Sequence, residues 1–426
     1  MRFSRLDDWL SWLETLHPQA IDLGLDRVRQ VAQRLGLLQP GVPVVTVAGT
    51  NGKGSVTALL EALLRAHGRR TGLYTSPHIR RFNERIRIDG REAADDDIVR
   101  ALAAVDAARG EVSLTYFEFT TLAAFLLFRE AGLDAWVLEI GLGGRLDAVN
   151  VIDPDVAVLT SVGLDHGDWL GHTREDVGRE KAGIFRAGRP AVIGDAEPPD
   201  SVRAAVRNLE ARALWVGEDF AVSALANACW SWRGIGAHGA ALLLEGLPCP
   251  PLALANAATA LQALACLPQP IDPSAVRRAL ASVTLAGRNQ RIDRGGRPVI
   301  IDVGHNADAL HFLRRELPRQ GLGERFHVVL GMLADKDIEA AVRVLEPLAE
   351  AWHIAPLPTP RTADAGRVSA AITACSACRP CVYPDIGSAL LAALGAPDSL
   401  PVLVVGSFYT VAAALSVLEP VTKNLA

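Results

Sequence analysis

Short runs of β-branched and aliphatic residues alternate with stretches of helical period along almost the whole chain. That alternation predicts α/β architecture on mostly parallel sheets. Parallel strands are buried on both faces, so they read as continuous apolar runs, and each pair needs a helical crossover. The first such unit is the apolar run 42–48, followed by a glycine-rich loop, an amphipathic helix over about 55–67 and a strand ending at Tyr74. Further strands are expected at 135–140 and 156–160, with helices over 117–130 and 174–185 and another starting near Asn256. A helix over 274–281 gives way to Gly287, and a new series begins with strands at 299–303, 326–330, 351–354 and 401–405. A boundary near residues 283 to 290 therefore separates two α/β domains. The stretch from about 195 to 250 is poorly periodic and predicts no element.

Composition narrows the class. The 426 residues are 50% hydrophobic and 21% charged, which favours large buried cores over disorder, and the length suggests two or three domains. A formal net charge of −5 exerts no general pull on nucleic acid or an anionic membrane. Mean hydropathy is positive at +0.20. The most apolar stretch, 252–267, is nevertheless interrupted by Asn256, Thr259 and Gln262 and falls short of the roughly 20 residues that span a bilayer. Arg2, Arg5, Asp7 and Asp8 stand where a signal peptide needs apolar residues, so a cytoplasmic location is expected. A monomer that takes small-molecule substrates is expected as well. Cys375, Cys378 and Cys381 form a C-x-x-C-x-x-C run with no fourth ligand nearby, and they read better as small buried hydrophobes than as a zinc site.

The chemistry concentrates after strands. Gly49-Thr50-Asn51-Gly52-Lys53-Gly54-Ser55 lies between an apolar strand and a helix. Backbone N–H groups of such a loop, with a helix N-terminus behind them, cradle phosphate, and Lys53 can reach the outer phosphates. Gly54 intervenes between Lys53 and Ser55, whereas the standard P-loop has Ser or Thr directly after Lys. Ser76, Glu139 and His166 each follow or end a strand, where ligands of a parallel sheet bind, and all three residue types can ligate a divalent cation. Taken singly each is an ordinary loop or surface residue. Gly141-Leu142-Gly143-Gly144-Arg145-Leu146-Asp147 lacks dinucleotide spacing and reads as a flexible loop with polar groups beside Glu139. In the second domain Asp302, His305 and Asn306 close one strand and Ser407 another; presentation to a substrate and simple helix capping are equally compatible with that placement.

Together these stretches resemble the folylpolyglutamate synthase/dihydrofolate synthase family, the folate branch of the muramyl ligase superfamily. The matches include Ile21-Asp22-Leu23-Gly24-Leu25, the loop from Gly49 to Ser55, Ser76-Pro77-His78, Thr115-Tyr116-Phe117-Glu118 and the glycine-rich loop before Asp147. Leu164-Asp165-His166, Arg179-Glu180-Lys181-Ala182-Gly183-Ile184-Phe185, Asn256-Ala257-Ala258, Gly287-Arg288, Asp302 to Asn306 and Gly406-Ser407-Phe408 continue the family order. Ala307 stands where the family usually has Pro, and Tyr409 where it usually has His.

The resemblance implies an ATP-binding muramyl-ligase-like domain over 1–286, with a P-loop-type mostly parallel sheet, and a smaller Rossmann-like glutamate-ligase domain over 287–426. It implies an ADP-forming C–N ligase that joins L-glutamate to dihydropteroate and to reduced folates through an acyl phosphate, with ATP and Mg2+ as cofactors. On that analogy Thr50, Asn51, Gly52, Lys53, Gly54 and Ser55 hold the triphosphate, and Asn256, Arg288 and Asp302 contact the nucleotide. Ser76, Glu139 and His166 bind magnesium, joined by Lys181, which matches a lysine the family carbamylates. His305 and Ser407 lie near the glutamate and the reaction. Ala20, Ile21, Asp22, Leu23, Thr115, Tyr116, Phe117, Glu118, Leu146, Asp147 and Ala148 match where bifunctional members hold dihydropteroate.

Two rivals are weaker. A muramyl ligase acting on a UDP-linked precursor needs a further domain before the ATP loop, and only about 40 residues precede the first strand here, fewer than the ~50 of a small domain. A nucleotide-dependent switch needs the phosphate loop but not Lys181, Glu139 and His305.

Overall fold

The run Val44–Ala48 is buried at every position and forms β1, the inner strand on which the first unit is built. Around it stand β2 (Thr71–Tyr74), β3 (Ile86–Ile88), β4 (Arg91–Glu92), β5 (Ala135–Glu139), β6 (Val156–Leu159), β7 (Pro190–Ile193) and β8 (Arg212–Trp215). They make one eight-stranded sheet in the order β4-β3-β2-β5-β1-β6-β7-β8. Pairing from β2 to β8 is parallel, and β3 and β4 add an antiparallel edge. The structure, a computed structural model, describes residues 2–419 apart from 20, 225–228 and 377. It divides into two units, Met1–Val283 and Thr284–Ala426.

Among the described residues the α-helices of the first unit are α1 (Leu6–Leu16), α2 (Asp26–Arg34), α3 (Lys53–Ala66), α4 (Asp95–Arg109), α5 (Tyr116–Glu130), α6 (Gly167–Leu170), α7 (Arg174–Ala182), α8 (Asp200–Leu209), α9 (Leu254–Ala265) and α10 (Pro273–Ser282). Helix α2 buries Val28, Val31 and Ala32, the i, i+3, i+4 stripe of an amphipathic surface helix. Helix α5 is buried along nearly its whole length. Its Phe119, Phe125 and Phe128 pack with Trp9 and Trp136, and each such side chain contributes roughly 1.5–3 kcal/mol of burial.

The apolar stretch near residue 260 is α9, a core helix whose polar positions find partners. Gln262 accepts from Ile235 N at 3.0 Å and donates to Ile235 O at 2.6 Å, and the Thr259 hydroxyl donates to Ala255 O. Among the described residues no helix is long and apolar enough to cross a membrane. The unassigned stretch 195–250 contains α8, β8 and an antiparallel sheet of β9 (Ala221–Ala224), β10 (Cys229–Ile235) and β11 (Ala241–Pro248). Its strands carry irregular apolar spacing because β10 buries Trp230 and Trp232 while much of β11 faces solvent.

The second unit holds β12 (Gln290–Arg294), β13 (Arg297–Asp302), β14 (Phe326–Leu330), β15 (Ala349–Ile354), β16 (Cys381–Val382) and β17 (Val402–Val405), in the order β12-β13-β17-β14-β15-β16. All pairs are parallel except the β12–β13 hairpin, whose turn uses Gly295 and Gly296 at positive φ. Its α-helices are α11 (Ala307–Glu316), α12 (Ile338–Leu345), α13 (Ala365–Cys375), α14 (Ile386–Leu394) and α15 (Phe408–Leu418). Each starts on a side-chain cap, from Asn306, Asp337, Asp364, Asp385 and Ser407 in turn.

The cysteine expectation is corrected. Cys375 and Cys381 are exposed and Cys378 is half-buried. Helix α13 turns Val368, Ala371 and Ile372 inward, which leaves Cys375 outside, and Cys381 lies on the edge strand β16.

Candidate active site

Four parallel strands, β2, β5, β1 and β6, end side by side, and their carboxyl ends carry the residues that matter. The loop after β1 is possible only with glycine. Gly49 has φ +154, and a Cβ there would lie 1.8 Å from Thr160 Oγ1. Gly52 has φ +89 and caps α3; a Cβ there would meet Asn256 Oδ1 at 2.7 Å. Helix α3 begins at Lys53, two residues earlier than the apolar pattern predicts, so Gly54 and Ser55 lie in its first turn.

The loop is tied to the end of β6. Thr50 N donates to Ser161 O at 2.8 Å, and Asn51 N donates to the Ser161 hydroxyl at 3.1 Å. Thr160 Oγ1 donates to Asn51 O at 2.6 Å, and Gly163 N donates to Thr50 Oγ1 at 2.9 Å. Thr160 and Ser161 escaped the sequence reading. The available signal was their place just past a parallel strand.

Two ammonium groups converge on one carbonyl. Lys53 Nζ donates to Gly49 O at 2.9 Å, and Lys181 Nζ donates to the same oxygen at 3.0 Å. Lys181 is 4% exposed, at the end of α7. Burial, followed by the charge of Lys53, lowers its pKa to about 7, with Asp165 and Asp147 acting against the fall. On β5, the buried Glu139 accepts from Ser76 N at 3.2 Å, so the ends of β2 and β5 are joined there. His166 is in the left-handed region, φ +53, with its side chain 48% exposed.

The glycine loop after Glu139 is a tied structure, not the flexible one expected. Asp147 Oδ2 accepts from Leu142 N at 2.8 Å and Oδ1 from Val149 N at 3.0 Å. Arg145 N donates to Glu180 O at 2.8 Å, and a Cβ on Gly144 would lie 2.9 Å from Lys181 O, so the loop rests on α7 beside Lys181. Burial raises the Asp147 carboxyl to about 7, while N–H groups of Leu142, Val149 and Gly141 pull it back.

The segments matched to acceptor binding meet this loop. A Cβ on Gly141 would lie 2.5 Å from the Phe117 ring, and Phe117 packs on Tyr74. Thr115 and Glu118 form a capping box at the start of α5. The Tyr116 ring faces the Arg85 guanidinium at 5.7 Å. Ile21, Asp22, Leu23 and Leu146 are partly buried and Ala148 is buried; Ala20 lies outside the described residues.

In the second unit, Asp302 ends β13 and accepts from Asn289 N at 2.8 Å and Gly304 N at 2.7 Å. Burial raises its carboxyl, with the Arg288 guanidinium opposing. Arg288 in turn lies 5.2 Å over Phe408, directly after Ser407. The His305 Nδ1–H donates to Val303 O at 3.0 Å. The Ser407 hydroxyl is buried, caps α15 and lies 2.7 Å from the Thr410 hydroxyl. Arg288, Asp302 and Ser407 therefore gather where β13 and β17 end side by side.

The Mur ligase middle domain matches residues 47–220, and the Mur ligase glutamate ligase domain matches 287–408. The chain is 43% identical to the dihydrofolate synthase/folylpolyglutamate synthase of Escherichia coli K12 over 420 residues, 98% of this chain and 96% of that one. The E. coli FolC structure in complex with DHPP and ADP superposes with a TM-score of 0.91 at 42% identity, covering 98% of both chains. The Yersinia pestis bifunctional enzyme complexed with AMPPNP and Mn gives 0.90 at 43% identity, covering 97% of this chain and 98% of that one.

Proposed function

The chain belongs to the dihydrofolate synthase/folylpolyglutamate synthase family of Mur ligases, and from that premise we propose that it is an ATP-dependent, ADP-forming ligase joining L-glutamate to dihydropteroate and to reduced folates. The observation that carries the reading is the convergence of the glycine loop, Glu139, Lys53 and Lys181 at four neighbouring strand ends.

ATP lies with its phosphates on the loop N–H groups and the α3 N-terminus, and Lys53 sets a fixed positive charge at the outer phosphates. The acceptor carboxylate attacks the γ-phosphorus, releasing ADP and leaving an acyl phosphate. The glutamate amine then attacks the acyl carbon, and the tetrahedral intermediate expels inorganic phosphate as the amine loses its proton. Asn256 beside Gly52, and Arg288 and Asp302 in the second unit, are read as nucleotide contacts, and His305 and Ser407 as neighbours of the glutamate. Two domains with these tasks are read at 1–286 and 287–426.

Among the described residues no three His, Cys, Asp or Glu side chains gather as a ready metal cage. Magnesium would instead be held by one carboxylate, Glu139, with Ser76, His166 and the nucleotide, a donor set that suits this hard cation. When bound it neutralises phosphoryl charge. Lys181 fits the remaining place chemically. An amine whose pKa is about 7 is largely neutral at slightly alkaline pH. Neutral, it can add carbon dioxide and release one proton to become an anionic carbamate.

The test is ADP release with ATP, Mg2+ and L-glutamate, with dihydropteroate or a reduced folate monoglutamate in parallel. Amide product matching ADP is expected from both acceptors. Product from the folate alone would remove the dihydrofolate synthase half of the proposal, and ADP release indifferent to both acceptors would favour a nucleotide switch.

A further inference from the structure

We propose that Arg27 is a positioning residue for the pterin-bearing acceptor, locking the 21–23 segment to the first turn of α5; the inference rests on the function proposed above. No sequence pattern singled out Arg27. It lies on α2, just past Asp22, and its guanidinium makes three bonds to two segments. Nη1 meets Asp22 Oδ2 at 2.6 Å, and Nη2 donates to Asp22 O at 2.8 Å and to Glu118 Oε1 at 3.1 Å.

Glu118 passes the constraint on. Its other oxygen accepts from Thr115 N at 2.8 Å, and Thr115 Oγ1 accepts from Glu118 N at 3.2 Å. One continuous chain therefore runs from Asp22 through Arg27 and Glu118 to Thr115. The Glu118 carboxylate is 4% exposed, so its charge needs this partner, whereas Asp22 is 33% exposed and gains an orientation more than a solvent shield. His17 Nε2 approaches the same Asp22 oxygen at 3.6 Å, outside hydrogen-bond range, so the guanidinium makes the closer of these two contacts.

The consequence concerns recognition. Asp22 and Glu118 are both occupied by Arg27, so neither acts as an isolated carboxylate towards substrate; they set the position of backbone and side chains around them. The planar fork suits this because it serves two carboxylates and a carbonyl at once. A lysine is a point charge on a flexible stem and would keep only part of the lock. Both acceptors carry the pterin ring, so loosening the lock weakens both together and leaves the phosphate loop alone.

The experiment compares Arg27→Ala, Arg27→Lys and Asp22→Asn in the full chain. It measures KM and kcat for dihydropteroate, a reduced folate, ATP and glutamate, with thermal melting as the folding control. Arg27→Ala is expected to raise the KM of both acceptors about 10- to 100-fold. The KM for ATP should stay within about twofold, and Arg27→Lys should recover part of the loss. If Arg27→Ala does not fold, Arg27→Lys and Asp22→Asn carry the test, each expected to raise acceptor KM without moving that of ATP. An unchanged acceptor KM in folded variants, or an equal rise for ATP, overturns the proposal. A wild-type protein that ligates neither acceptor would instead overturn the function on which it rests.

Discussion

Two polar clusters in this molecule are built on opposite electrostatic plans. At the end of β1, two lysines aim at the single carbonyl oxygen of Gly49. In the second unit, on a network that links β13, β14 and β15, charges alternate instead. Arg297 and His327 both reach Asp398, His327 meets His353 at 3.1 Å, and His353 meets the Tyr383 hydroxyl at 3.2 Å. Arg297 also donates to Ala393 O and Leu394 O, closing the end of α14. In this second network donors face acceptors, which is how a polar cluster supports a fold. In the first, burial and then the neighbouring charge of Lys53 drive the Lys181 amine towards neutrality, an arrangement suited to a polyanion that arrives later.

The largest contrast comes from Lys53→Ala. Ligation at saturating acceptor is expected to fall by about a hundredfold to a thousandfold or more, with the melting temperature held or raised because a repulsion is removed. Steady-state ADP release and a thermal melt read both, and undiminished ligation would break the functional half of the comparison.

Lys181 sharpens it through pH. Its folded pKa is about 7 against 10.5 for the free side chain. Between those values the unfolded chain binds more protons than the folded one, so this residue makes stability rise with pH from about 7 to 10.5. Melting temperature against pH should lose that alkaline rise in Lys181→Met. In Lys181→Ala, ligation should fall strongly and recover in part with acetate or propionate if a carbamate is the working form. An identical pH profile in the Met variant would refute the burial argument.

The smallest expected effect lies on the other side. Arg297→Met keeps much of the length and removes the donors to Ala393 O and Leu394 O, at a cost of about 1–3 kcal/mol. Urea unfolding followed in the second unit should shift, while KM values for ATP and both acceptors stay put. A variant with normal stability and poor ligation would reverse the roles assigned to the two clusters.

The α/β alternation was legible in the chain, as were the glycine loop and the strand-end positions of Ser76, Glu139 and Asp302, because these are signals local to one strand and the turn after it. The antiparallel strands between 221 and 248 were not, since Trp230 and Trp232 are apolar for the sake of packing and leave no clean period. The glycine loop before Asp147 looked loose from its composition and is held by partners on α7.

Sequence alone determined the main parallel strands, the helices that follow them and the glycine loop after β1, because periodicity and turn chemistry act within a few residues of each other. Only the tertiary structure decided that Lys181 is buried against Lys53, that Arg27 bonds Glu118 across 91 positions, and that Cys375 and Cys381 face outward. Desolvation and ion pairing depend on which strands and helices become neighbours, and that is set by the packing of the whole unit.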